Sequence, residues 1–104
     1  MQDKVLSMIG LAARARKLAS GEFAVLESIK KGTAKLVIVA NDASPNTIKK
    51  FADKCSYYGV ELLKVSDKEN LGHILGKEER AAAAITDEGF AAAILKKTDS
   101  LNNK

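Results

Sequence analysis

The sequence predicts an α/β domain, a three-layer α/β/α sandwich around a central mixed sheet of about four strands. Three observations carry that prediction. Leu36-Val37-Ile38-Val39-Ala40 is a continuous apolar run rather than an alternating one, the pattern of a strand covered on both faces. Helical and strand-like patterns alternate along the chain as helix, helix, strand, helix, strand, short helix, strand, helix, and such alternation encloses a parallel or mixed sheet between helical layers. The breaks at Gly32, Ser44-Pro45, Gly59 and Gly76 are short, so no linker divides the 104 residues into two domains.

Residues 4 to 15 read as the first helix, since Val5, Leu6, Ile9, Ala12 and Ala13 recur at three- and four-residue steps after Asp3, an N-cap type. Its end is basic. Arg14, Arg16 and Lys17 suit the negative end of a helix dipole, and equally a phosphate. After a short Leu18-Ala19 connection, Ser20 is placed to cap a second helix with Val25, Leu26 and Ile29 inward and a stop at Gly32. Free N–H groups near Gly21 and Glu22 would point outward there, and Gly21 has no side chain to hold a phosphate at a distance.

The strand at residues 35 to 40 ends in an Asn41-Asp42-Ala43 turn. Ser44 then caps a helix whose first position is Pro45, where a missing N–H costs nothing. Ile48, Phe51, Ala52 and Cys55 share the inward face, and Gly59 stops the helix. Val60 to Val65 is a short strand, and Asp67 caps a short helix with Leu71, Ile74 and Leu75 up to Gly76. Lys77 to Arg80 is a polar loop before the small-residue strand Ala81 to Ile85. Glu88 to Lys97 is the last helix, closing a single domain over residues 1 to 97, and residues 98 to 104 are a polar tail expected to fray.

Composition narrows the function. Apolar residues make up 46% and charged ones 29%, too apolar for a disordered chain. A net charge of +4 suggests an anionic partner, and the excess sits in the first half: residues 1 to 52 carry nine Lys or Arg against four Asp or Glu, the remainder eight against nine. A single cysteine and the lack of a signal-type opening point to the cytoplasm, and no apolar run approaches the roughly 20 residues that span a bilayer. Cys55 reads as a small core residue, and His73, the only histidine, has no companion at metal-ligand spacing. No catalytic residue, metal site or cofactor fingerprint is found, so an enzyme is not expected.

Gly21 stands eleven positions before Gly32, followed by Ala34-Lys35-Leu36-Val37-Ile38-Val39-Ala40, Asp42 and Pro45, then Val65-Ser66, Leu71-Gly72, Gly76, Ala83-Ala84-Ile85 and Asp87. As an ordered set spanning about residues 4 to 95, these resemble the kink-turn RNA-binding ribosomal protein family, to which archaeal ribosomal protein L-seven-Ae belongs, and in particular its small bacterial members. The resemblance implies the same sandwich and a monomer that binds structured RNA with a sharp backbone bend, ribosomal RNA among the candidates, with no DNA specificity and no membrane partner. It places the site at Ser20, Gly21, Glu22, Phe23, Ala24 and Glu27 together with the loop Lys77, Glu78, Glu79 and Arg80, with Arg14, Arg16 and Lys17 as phosphate contacts. Where many members carry a polar pair and then a lysine, this chain has Phe23, Ala24 and Glu27. Phe23 either stacks on an extruded base or packs at the helix start, and Glu22 either accepts from guanine or serves as a first-turn carboxylate. An RNA chaperone or ribosome-associated adaptor without bend preference, and a protein-interaction module anchored by Phe23, are the alternatives.

Overall fold

The computed structural model describes residues 3–102. Five helices and four strands follow in the order α1 (Asp3–Arg14), β1 (Leu18–Ser20), α2 (Glu22–Lys31), β2 (Leu36–Val39), α3 (Pro45–Tyr58), β3 (Glu61–Lys64), α4 (Lys68–Ile74), β4 (Ala82–Ile85) and α5 (Glu88–Asn102). The strands form one mixed sheet in the order β1-β4-β2-β3, in which β2 and β3 are parallel and β4 is antiparallel to both β1 and β2. The predicted sandwich is what forms, and the local signals explain most of it. Ser44 Oγ accepts from the Thr47 N–H at 3.1 Å with Pro45 behind it, and Asp67 accepts from the Asn70 N–H at 2.7 Å, so both capped starts fall where the sequence puts them.

Alternate side chains of β2 and β4 feed two separate cores. Leu36, Ile38, Ala83 and Ile85 pack with Val5, Ile9, Ala12, Leu71 and Ile94 from α1, α4 and α5. Val37, Val39, Ala82 and Ala84 pack with Val25, Ile29, Phe51 and Cys55 from α2 and α3. The alanines of β4 matter because small side chains let both helical layers approach the sheet. Ala52, expected inward, is exposed on α3.

Two boundaries differ from expectation. Leu18-Ala19-Ser20 is a strand rather than a connection, paired residue for residue with Ile85, Ala84 and Ala83. Ser20 therefore belongs to the sheet and Gly21 takes the N-cap position of α2. At the other end α5 continues past Lys97 to Asn102, so the tail expected from Thr98 is helical over those residues.

The basic end of α1 has a backbone role. Arg16 adopts φ 62°, its N–H donates to Ala13 O at 3.0 Å, and the Lys17 N–H donates to Ala12 O at 2.8 Å. That paired closure is the turn that ends a helix with a left-handed residue and sends the chain into β1.

Cys55 is 2% exposed, and desolvation pushes its thiol from 9.0 up to about 11. The unfolded thiol loses its proton first, so Cys55 subtracts stability only as pH rises from 9.0 toward about 11 and is silent below that window. An alkylating reagent at pH 8 is expected to modify the native protein at least roughly a hundredfold more slowly than the denatured protein, because attack requires opening of the α3 core. Intact-mass spectrometry over time checks this; equal rates would place Cys55 at the surface.

Candidate functional site

Strand directions decide where the helices point. β1, β2 and β3 run the same way, and each is followed at its far end by a helix, α2, α3 and α4 in turn. Three helix N-termini therefore face one end of the sheet, the end at which β4 begins, and each brings partial positive charge. Between them lies a cleft of about 420 Å³ lined by Ser20, Gly21, Glu22, Ser44, Thr47, Lys68, Glu79, Arg80 and Ala81.

The three helix starts are not equivalent. Those of α3 and α4 are closed by side chains, from Ser44 and Asp67, and the Lys68 N–H is also taken by Asp42 Oδ1 at 2.8 Å. No side chain caps α2, which leaves its first-turn N–H groups, beginning with Glu22 and Phe23, for solvent or a ligand. Gly21 holds φ 93° and ψ 151°, a region essentially closed to residues with a Cβ, while its N–H is anchored on Ala82 O at 3.1 Å. A Cβ at Gly21 would meet nothing within 4 Å, so glycine is required there by the backbone and not by space.

The fourth wall is the loop that precedes β4. The chain reverses at Gly76 (φ 70°), and the Lys77 N–H donates to Gly72 O at 2.9 Å. It then runs back along α4 until the Arg80 N–H reaches Lys68 O at 3.1 Å. Gly72 makes this possible: a Cβ there would collide with the Glu78 carbonyl and lie 2.9 Å from Glu79 Cα. Arg80 donates from Nη1 to Glu79 O at 2.9 Å, but its Nε is buried and has no hydrogen-bond partner. A buried donor without an acceptor is costly unless a ligand supplies one.

Of the residues expected to form the site, Ser20, Gly21, Glu22, Glu79 and Arg80 are brought together at the cleft. Ser20 contributes without capping α2. Phe23 stands beside it on the first turn of α2, 77% exposed, so it is not a core residue. Ala24 is half-buried, and Glu27 pairs with Lys31 at 3.8 Å and does not line the cleft. Lys77 and Glu78 are exposed on the loop but outside the cleft lining. Arg14, Arg16 and Lys17 do not join the cleft. They precede β1, whose start is fixed by Thr86 N donating to Lys17 O and whose end by Gly21 N donating to Ala82 O, so the strand's length separates them from Gly21. Arg14 lines a different depression with His73 and Gly76.

Ser44, Thr47 and Lys68 were not anticipated as site residues. The signal for the first two was present in the Ser44-Pro45 helix start. It becomes a site signal only once strand direction is known, because ligands of open α/β sheets gather beyond the carboxyl ends of strands. Lys50 was also missed; its Nζ lies 2.7 Å from Glu22 Oε1 and ties α3 to the mouth of the cleft.

Chemically, the cleft offers backbone N–H donors, an arginine, a lysine and two carboxylates on an open surface. Among the described residues there is no group of three His, Cys, Asp or Glu able to hold a metal ion, and no helix is long and apolar enough to cross a membrane. The sequence profile of the ribosomal protein L7Ae/L30e/S12e/Gadd45 family matches residues 3–95. The chain belongs to that family. It is 48% identical over 92 residues to the RNA-binding protein YlxQ of Bacillus subtilis (strain 168), spanning 88% of this chain and 92% of the relative. It is 31% identical over 94 residues to the large ribosomal subunit protein eL8 of Cenarchaeum symbiosum (strain A), spanning 89% and 75% of the two chains. Among solved structures, the Giardia lamblia 15.5kD RNA binding protein superposes with a TM-score of 0.79 at 25% identity, covering 92% of this chain and 85% of that one. The family resemblance and the α/β fold read from the sequence are thus borne out, and as a member of this L7Ae-type family the protein is not an enzyme.

Proposed function

We propose that this protein binds structured RNA at a sharp backbone bend, a kink-turn, as a single cytoplasmic copy and without catalysis. The observation that carries the reading is the uncapped start of α2 in one cleft with Arg80, whose buried Nε has no hydrogen-bond partner. Names of relatives that include RNA-binding and ribosomal proteins support RNA as the class of partner.

In this reading the N–H groups at Glu22 and Phe23 and the Arg80 guanidinium take phosphate or base oxygens, the last with a fork that a lysine lacks. Glu22 and Glu79 accept from the amino edges of unpaired bases, and the exposed Phe23 ring stacks on a base that the bend has extruded. Gly21 lets the sugar-phosphate chain approach the backbone closely. Arg14, Arg16 and Lys17 contribute to the long-range field from the far end of β1 and are not contacts within the cleft.

The test is a pair of calorimetric titrations against one RNA that kinks and a variant whose sheared G·A pairs are replaced so that it stays straight. A preference of at least about tenfold for the kinked RNA is expected, equivalent to ~1.4 kcal/mol. Log affinity should fall with log salt by roughly 0.7 to 0.9 per phosphate contact. Equal affinity for the two RNAs would sink bend recognition. It would leave a general RNA chaperone or ribosome-associated adaptor, the second reading, which Phe23 and Ala24 favour by standing where relatives often carry a polar pair.

A further inference from the structure

The outward face of α3 carries Lys50, Lys54, Tyr57 and Tyr58 at helical spacing, lining a shallow cleft of about 450 Å³ together with Asp53. Tyr57 is 81% exposed and Tyr58 43%, and with Leu11 and Phe23 they make up the large apolar side chains left at the surface among the described residues. The two rings stand edge to face with centroids 4.9 Å apart and planes at 79°. That contact holds the outer ring upright without covering it. Tyr57 is therefore a pre-oriented flat surface.

The groove also carries an uncompensated positive charge. Asp53 is paired with Lys49 at 3.0 Å and Lys50 with Glu22 at 2.7 Å, whereas Lys54 has no ion pair among the described residues. Lys50, which lines this groove, is bridged to Glu22, which lines the first cleft. From Lys50 to Tyr57 is about 10 Å along the helix axis at ~1.5 Å per residue, enough for a few nucleotides of extended strand. Two lysines followed by an exposed pair of aromatic rings suit a single strand, whose backbone the cations track and whose base the outer ring stacks on.

We propose that this α3 face binds single-stranded RNA leaving the bent motif, with Tyr57 stacking on a base and Lys54 on its phosphate. The inference rests on RNA binding at the α2 cleft for its direction, though not for its detection. The protein contains two tyrosines, both on this face, and no tryptophan, so its intrinsic fluorescence reports on this site alone.

Three probes separate the possibilities: a blunt-ended kinked RNA, the same RNA with a short single-stranded pyrimidine extension, and the free pyrimidine strand. The extension is expected to raise affinity roughly tenfold, the gain of one stacked base, and to quench the tyrosine emission. Tyr57→Ala should abolish the gain and leave blunt-RNA affinity unchanged; Tyr57→Phe should keep it, and Lys54→Ala should lower the salt slope by about 0.7. Equal affinity for blunt and extended RNA, or a gain that survives Tyr57→Ala, would overturn the proposal. Tyr57-dependent binding of the free strand without any binding of blunt kinked RNA would uphold the α3 face and refute the bend reading. No binding of any probe would refute both.

Discussion

Gly72→Ala is expected to destabilise the protein by about 3 kcal/mol, the upper part of the range for forcing a methyl into packed structure. For a chain of this size that is a fall in melting temperature on the order of 15 °C. The reason is local and unrelieved, because the new Cβ would meet the Glu78 carbonyl and Glu79 Cα, which are backbone and not the movable end of a side chain. Either α4 or the returning loop must shift, and the loop carries Arg80. Affinity for a kinked RNA should therefore fall together with stability. Gly76→Ala is the control: its φ of 70° makes alanine costly by about 1–2 kcal/mol, but no atom lies within 4 Å of the added carbon. Circular-dichroism melts of the two variants decide the matter. If Gly72→Ala melts no lower than Gly76→Ala, the loop does not lie on α4 in solution.

The second large effect belongs to Gly21. Gly21→Ala places a Cβ in open space but at φ 93° and ψ 151°, where the strain is about 1–3 kcal/mol. The turn can relieve that strain only by rotating the first N–H groups of α2 away from the cleft. Binding to the bent RNA should drop at least tenfold, about 1.4 kcal/mol, while the melting temperature falls by much less than in Gly72→Ala. D-alanine at the same position, introduced by chemical ligation, accepts positive φ and should restore affinity. Failure of D-alanine to do so would assign the loss to the bulk of the methyl instead.

Most of the fold could be read in advance because its signals are local. The apolar run of β2, the Ser44-Pro45 and Asp67 caps, and the Gly32 and Gly59 stops each act within a few residues of themselves. The strand β1 could not be read. Leu18-Ala19-Ser20 has no β-branched residue and is only half-buried, and it is a strand because β4 offers it hydrogen bonds across the sheet. The extension of α5 escaped notice for a related reason. Polar residues after Lys97 carry no stop signal, and Thr98 simply returns its hydroxyl to Ile94 O at 3.1 Å while the helix propagates.

The candidate site was legible in one half. Gly21 and Arg80 can be found from the sequence, whereas the side chains that α3 and α4 add depend on which way three strands run. The exposure of Phe23 was undecidable from its residue type, since a helix-start phenylalanine packs inward as readily as it projects. The basic cluster of Arg14, Arg16 and Lys17 looked like part of the site because it is near Gly21 in sequence. The strand β1 stands between them and Gly21, and the backbone N–H groups of Arg16 and Lys17 close α1.

The first cleft draws its walls from both sides of the sheet. Ser44, Thr47 and Glu22 come from the layer that holds Phe51, while Lys68 comes from the layer that holds Leu71. An occupant therefore bridges two cores that the sheet already joins, β3 included, with Leu62 on one side and Leu63 on the other. By mass action the same occupant holds both closed, so its protection reaches amides of α2, α3 and α4 alike.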